Sequence, residues 1–268
     1  MRCSYFERLG SPRIAYSIKG AGPLVIFLHG VGGNRLNWSR QLDVFANDFT
    51  AVAWDARGYG DSADEPPLIN FSDFAEDLAA LIKFLDVGPA HLVGLSMGGM
   101  IALSLFERYP ELVGSLVLAD TSAGFGSVTD RERDEFLRNR LRPLEDGMSL
   151  GDIAEGMLDL LVSPNSSAIA RMEVLDSLKR LRELPYRRAL EAIVTTDFSE
   201  VLNVVTAPTL VIVGEQDIVT PVEKSQKLVE GLPNAELYII GNCGHLSNIE
   251  QPRLFSRKVF GFIKSVTG

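Results

Sequence analysis

One serine stands between two glycines in "HLVGLSMGGM" (residues 91–100), where an apolar run gives way to a helix-like stretch. Gly94-Leu95-Ser96-Met97-Gly98 fits G-x-S-x-G, a spacing that holds a serine on a sharp strand-to-helix turn. A serine hydroxyl is a poor nucleophile until a base takes its proton, so the chain needs a histidine nearby. It has three. His29 ends an apolar run and precedes Gly30, which suits a role in shaping that turn. His91 begins the same run that leads to Ser96 and belongs at the opposite end of a sheet. His245 follows the last apolar run, in "GNCGHLSN", and falls at the same edge as Ser96. It is the expected general base.

An imidazole base needs an acid to fix its tautomer and to stabilise its charged form. Asp217, in "VGEQDIVTP", is the stronger candidate; Asp120 ends another strand at the same edge and competes with it. The order Ser96, Asp217, His245 is that of a nucleophile–acid–histidine triad. Acyl transfer also needs donors aimed at a developing oxyanion. The Met97 N–H, at the start of the helix after the serine, is one. "HGVGGN" (29–34) has little side chain in the way and offers a second, the Val31 N–H.

These residues have to be positioned by a scaffold. "LVIFLHG" (24–30), "FTAVAWD" (49–55), "AHLVGL" (90–95), "GSLVLAD" (114–120) and "APTLVIVGEQD" (207–217) are continuous apolar runs, as strands buried on both faces should be. "AELYIIGNCGH" (235–245) closes the series, and "RIAYSI" (13–18) alternates as a half-buried strand paired with 3–9. Helical stretches lie between them. Ser72 is the expected N-cap of a helix whose stripe is Phe74, Leu78, Leu81, Ile82 and Leu85. Further helices are expected over 97–108, 221–230 and 252–266.

Alternating strands and helices imply a mostly parallel, eight-stranded sheet covered on both faces, an α/β fold. The pattern breaks at 122–205, which holds only charged helical stretches punctuated by Pro143, Gly147, Pro164 and Pro185. The expected organisation is a core made of 1–121 and 206–268, with 122–205 as a helical cap. An insertion there lies over the carboxyl ends of the strands, where open α/β sheets bind ligands.

Composition narrows the class. The chain has 268 residues, is 46% hydrophobic and carries a formal charge of −9, which argues against nucleic acid and against a polybasic membrane contact. No apolar run approaches 18 residues and the first ten residues lack a signal-peptide core, so a cytoplasmic location is expected. Cys3 and Cys243 are expected to be free thiols. Cys243 lies two residues before His245, but no third ligand is spaced for a metal, so neither metal nor organic cofactor is expected.

"HGVGGN", "WDARGYGDS" (54–62), "GLSMGGM", "GEQDIVTP" and "GHLSNIEQP" together resemble the α/β-hydrolase superfamily over essentially the whole chain. The resemblance implies the α/β-hydrolase fold, Ser96, Asp217 and His245 as catalytic triad, and Val31 and Met97 as oxyanion hole. It implies that "DARGYGDS" is a structural turn, with Arg57 bracing backbone carbonyls. Dehalogenases and epoxide hydrolases carry an aspartate where this chain has Ser96, so acyl chemistry is expected. "GLSMGGM" and "GHLSNIEQP" look most like the 3-oxoadipate enol-lactonase group. Carbon–carbon hydrolases of ring-cleavage products are the neighbouring group, and they typically place an aromatic after the histidine, where this chain has Leu246.

The expected partner is therefore a small-molecule ester or lactone, handled by a monomer or homodimer. A ligand receptor that keeps this fold and a slow triad is the rival of another class. Substrate-contacting residues are expected within 122–205. Among its arginines, Arg138, Arg142, Arg171, Arg187 and Arg188 read as solvated faces, although one turned inward would bind a carboxylate. Met148, Met157 and Met172 read as helix packing.

Overall fold

The computed structural model describes residues 3–7, 12–64, 70–126 and 128–267. Their elements run β1 (Ser4–Phe6), β2 (Ile14–Lys19), β3 (Leu24–Leu28), α1 (Ser39–Phe45), β4 (Thr50–Trp54), α2 (Phe71–Leu85), β5 (Ala90–Leu95), α3 (Met97–Arg108) and β6 (Val113–Ala119). Five helices follow without a strand: α4 (Asp130–Glu145), α5 (Leu150–Leu161), α6 (Ala168–Leu178), α7 (Glu183–Thr195) and α8 (Ser199–Leu202). The chain then returns through β7 (Thr209–Gly214), α9 (Val222–Gly231), β8 (Ala235–Ile240), α10 (Ser247–Glu250) and α11 (Pro252–Val266). The far end of the strand expected over 3–9 lies outside the described residues.

The eight strands form one sheet in the order β1-β2-β4-β3-β5-β6-β7-β8. Only the β1–β2 and β2–β4 pairs are antiparallel. Successive strand residues point to opposite faces, so β3 feeds two cores. Leu24, Ile26 and Leu28 pack with α2 and α3, while Val25 and Phe27 pack with Trp38, α1 and α11. Both layers are needed because β3 to β7 are buried on each face.

Local chemistry departs from expectation at the start of α2 and at two prolines. The N-cap of α2 is Asn70, not Ser72. Asn70 accepts the Asp73 N–H and the Asp73 carboxylate accepts the Asn70 N–H, a reciprocal box that leaves Ser72 inside the first turn. Pro143 does not break its helix. It sits near the end of α4, which continues to Glu145, and Gly147 follows at φ 90°. Pro185 lies in the first turn of α7, where a missing N–H costs nothing.

The turn after β4 braces the loop after β3. The Asp55 carboxylate takes the backbone N–H groups of Arg35 (2.7 Å) and Asp61 (2.9 Å) and pairs with the buried Arg35 guanidinium. Arg57 is held differently from expectation. Its guanidinium grips the Asp77 carboxylate bidentately (2.6 and 2.8 Å), and only one bond, 3.3 Å to the Asp73 oxygen, goes to backbone.

Gly94 and Gly98 let α3 lie against β3 and β5. A Cβ on Gly94 would stand 2.3 Å from the Gly98 oxygen, and one on Gly98 would stand 2.2 Å from the Leu28 oxygen. Neither obstacle is a flexible side chain. Gly98→Ala should therefore lower stability by about 2–4 kcal/mol in urea titration. Gly156→Ala, in α5 with nothing within 4 Å of the added carbon, should instead raise it by about 0.5–1 kcal/mol.

Candidate active site

Ser96 joins β5 to α3 with φ 54° and ψ −119°. A non-glycine residue at positive φ costs about 1–3 kcal/mol and persists only when its surroundings impose it. They do so here from two neighbouring strands. The Ser96 N–H donates to the Ala119 oxygen (2.9 Å) and the Thr121 hydroxyl donates to the Ser96 oxygen (2.7 Å). From the side of β3, a Cβ on Gly30 would come within 3.1 Å of the Ser96 Cβ, so this loop closes tightly on the serine.

Asp217 follows β7 and His245 follows β8. The His245 Nδ1–H donates to Asp217 Oδ2 at 2.8 Å, and both side chains are buried. Asp217 Oδ1 accepts the Val219 and Thr220 N–H groups (2.8 and 3.0 Å), and Oδ2 also accepts the Thr220 hydroxyl (2.7 Å). Burial pushes the Asp217 carboxyl up, but the His245 charge and these donors outweigh it and hold the pKa below the usual value. Burial likewise opposes charge on His245, yet Asp217 beside it, with a smaller part from Asp120, leaves its pKa raised above 6.5. With Nδ1 engaged, Nε2 is the nitrogen left to act as base.

Asp120, the competing acid, takes the Gly214 N–H (2.9 Å) and the Ser247 hydroxyl and N–H. It ties the end of β6 to β7 and to the histidine loop. Burial and the Asp217 charge push its pKa up. The other histidines are occupied elsewhere. His29 Nε2 accepts the Ala56 N–H, so Nδ1 carries the proton and donates to the Gly30 oxygen. His91 bonds Ser115 and Thr267 at the amino end of the sheet.

Ser96 and His245 line one cavity of about 430 Å³, together with Val31 and Met97. Met97 opens α3, where N–H groups lack intrahelical acceptors, and no described group takes the Val31 N–H. The cavity lies between the carboxyl edge of the sheet and α4 to α7. Of the methionines expected to pack, Met157 lines it, while Met148 and Met172 are exposed. Cys243 is a buried free thiol behind the histidine.

The five arginines singled out in the sequence keep to the surface. Arg142, Arg171, Arg187 and Arg188 pair with Asp146, Asp159, Glu183 and Glu191, and Arg138 is exposed. The arginine that turns inward is Arg140, which lines the cavity with Tyr186 of α7. Its signal was in the spacing: Phe136, Arg140 and Leu144 fall four apart on the apolar face of α4.

Residues 23–252 match the family model of the alpha/beta hydrolase fold. The chain belongs to that family. This hydrolase is 32% identical to a 2-hydroxy-6-oxononadienedioate/2-hydroxy-6-oxononatrienedioate hydrolase of Burkholderia vietnamiensis, over 94% of its own length and 91% of that protein. It is 28% identical to a 3-oxoadipate enol-lactonase of Acinetobacter baylyi, over 90% and 89% of the two chains. In three dimensions it matches a thermophilic esterase from Thermogutta terrifontis with a TM-score of 0.87 at 25% identity, covering 99% of each chain. The hydrolase has no helix, among its described residues, long and apolar enough to cross a membrane.

A base must be neutral, so a raised His245 pKa puts the acid limb of kcat/KM above pH 6.5, with activity lost as pH falls through it. Asp217→Asn removes the charge that outweighs burial; the limb should move to lower pH while kcat drops about 10³–10⁴-fold. Ser96→Gly should be more stable than Ser96→Ala by roughly 1 kcal/mol in thermal unfolding, because glycine alone tolerates this φ.

Proposed function

We propose that this hydrolase cleaves a small ester or lactone through an acyl-enzyme formed on Ser96. The carrying observation is that a strained, cavity-facing serine shares its cavity with a histidine whose far nitrogen is held by a buried carboxylate. His245 Nε2 takes the Ser96 proton as Oγ attacks the carbonyl carbon, and Asp217 stabilises the imidazolium. The Val31 and Met97 N–H groups donate to the oxyanion of the tetrahedral intermediate. Collapse expels the alkoxide, which leaves with the proton from His245. Water, deprotonated by the same nitrogen, then releases the acid. In this reading 122–205 acts as a cap over the reacting group, on a core of 1–121 and 206–268.

An enol-lactone bearing a carboxylate is the favoured substrate class, in keeping with the similarity to the enol-lactonase. Carbon–carbon hydrolysis is the second reading. It is favoured by the relatives named for oxononadienedioate hydrolysis, at up to 32% identity over 94% of this chain. The same triad would serve it.

The test is a panel of p-nitrophenyl esters, lactones and vinylogous diketones, with fluorophosphonate labelling of the serine. The expected outcome is ester or lactone turnover, one label per chain at Ser96, and loss of both in Ser96→Ala with an unchanged circular dichroism spectrum. Near-wild-type turnover by Ser96→Ala would overturn the proposal. Turnover confined to the diketones would select the second reading.

A further inference from the structure

The protein is strongly acidic, yet no aspartate or glutamate lines its cavity among the described residues, while Arg140 and Lys224 do. The two cations differ. Lys224 faces some negative charge, because it contributes to the lowering of Glu132, whose pKa is set chiefly by the Thr129 N–H and hydroxyl. Arg140 has no carboxylate partner among the described residues. Its guanidinium rests on the Phe136 ring, 3.6 Å from the centroid, and spends one N–H on the Phe136 oxygen (3.2 Å). Among the described residues its guanidinium makes no other hydrogen bond.

Tyr186 supplies the second half. It is 2% exposed, lines the same cavity, and its hydroxyl has no hydrogen-bond partner among the described residues. The two groups are near enough for Arg140 to affect the Tyr186 pKa: burial raises it and the guanidinium lowers it. The apolar contacts of Leu141, Leu144 and Leu190 hold α4 and α7 together beneath the pair. Both groups line the cavity with hydrogen-bonding capacity that their described neighbours leave unspent, so a ligand there can use it.

We propose that Arg140 and Tyr186 form a carboxylate subsite in the cap side of the cavity, so that the substrate is an ester or lactone carrying a second, ionised carboxyl group. This rests on the hydrolase reading above and names the side chains that would hold the carboxylate of its favoured substrate class. One guanidinium edge plus one hydroxyl suits the two oxygens and single charge of a carboxylate better than a dianionic phosphate.

The test compares kcat/KM for matched esters with and without the charge. Mono-p-nitrophenyl glutarate is set against p-nitrophenyl pentanoate, which places the charge on the acyl side. The alcohol side is probed by 4-carboxyphenyl pentanoate against phenyl pentanoate. In at least one pair the wild type should prefer the anion by more than tenfold. Arg140→Gln should cut that ratio about 10- to 100-fold, the scale of a lost charge-assisted hydrogen bond, chiefly through KM. Arg140→Lys should restore part of it, and Tyr186→Phe should lower it less. Arg138→Gln, on the exposed face of α4, should keep the wild-type ratio. Calorimetric titration with glutarate reads the subsite without turnover: binding to wild type and none to Arg140→Gln is expected. Ratios and glutarate binding unchanged in Arg140→Gln would overturn the subsite. Absence of Ser96-dependent ester turnover with glutarate binding intact would overturn the ester reading and leave the subsite standing.

Discussion

Everything at this site depends on one unfavourable backbone conformation, the positive φ of Ser96. The turn is stable because it is trapped between strands rather than because it prefers its own geometry. Ala119 and Thr121 hold it from β6, Gly30 closes on it from the loop after β3, and Gly98 brings α3 against the Leu28 carbonyl. β3 and β6 are the two parallel neighbours of β5, so the position of the serine is fixed by sheet register. A loop alone would relax out of this strain. The same parallel register sets the ends of β6, β7 and β8 side by side, which is why Asp120, Asp217 and His245 gather at one edge despite 125 positions between the first and the last.

The histidine is tied to the helical insertion as well as to the sheet. Its N–H donates to the Leu161 oxygen at the end of α5 (2.9 Å). Glu250 then takes the Gly244 N–H with one oxygen and the Ser163 N–H with the other, both at 2.9 Å. The loop that carries His245 and the segment that roofs the cavity are therefore joined by hydrogen bonds. Displacing the C-terminal end of α5 would strain the histidine loop, so the segment that covers the cavity and His245 form one mechanical unit.

Much of this could be read from the sequence, because strand ends are legible. Buried parallel strands appear as apolar runs, and a polar residue just after such a run must fall at the carboxyl edge. That rule puts Asp217, Asp120 and His245 at the edge where the G-x-S-x-G spacing puts Ser96; it favours neither aspartate by itself, and the hydrogen bond from His245 Nδ1 goes to Asp217. Side-chain partnerships were less legible. Arg57 takes Asp77 from a helix twenty residues on, a contact created by packing. Asn70 outcompetes Ser72 because its partner Asp73 returns the bond. Pro143 is tolerated because the helix has nearly finished. Arg140 was hidden among arginines that composition cannot separate, although its place on an apolar helix face distinguished it.

The charges around His245 explain why its pKa stays raised although the cavity it lines is cationic. Burial disfavours the imidazolium and Arg140 adds to that, whereas Asp217, by charge and by hydrogen bond, opposes both. The carboxylate wins because it touches Nδ1 at 2.8 Å and is itself fixed by Val219 and Thr220, so it cannot swing away to meet the arginine. Coulomb attraction is stronger in a buried site than in water, and a mobile aspartate would be drawn to any nearby guanidinium. The three donors on Asp217 thus do more than lower its pKa. They keep the negative charge on the histidine side of the site and leave the arginine side without an anion.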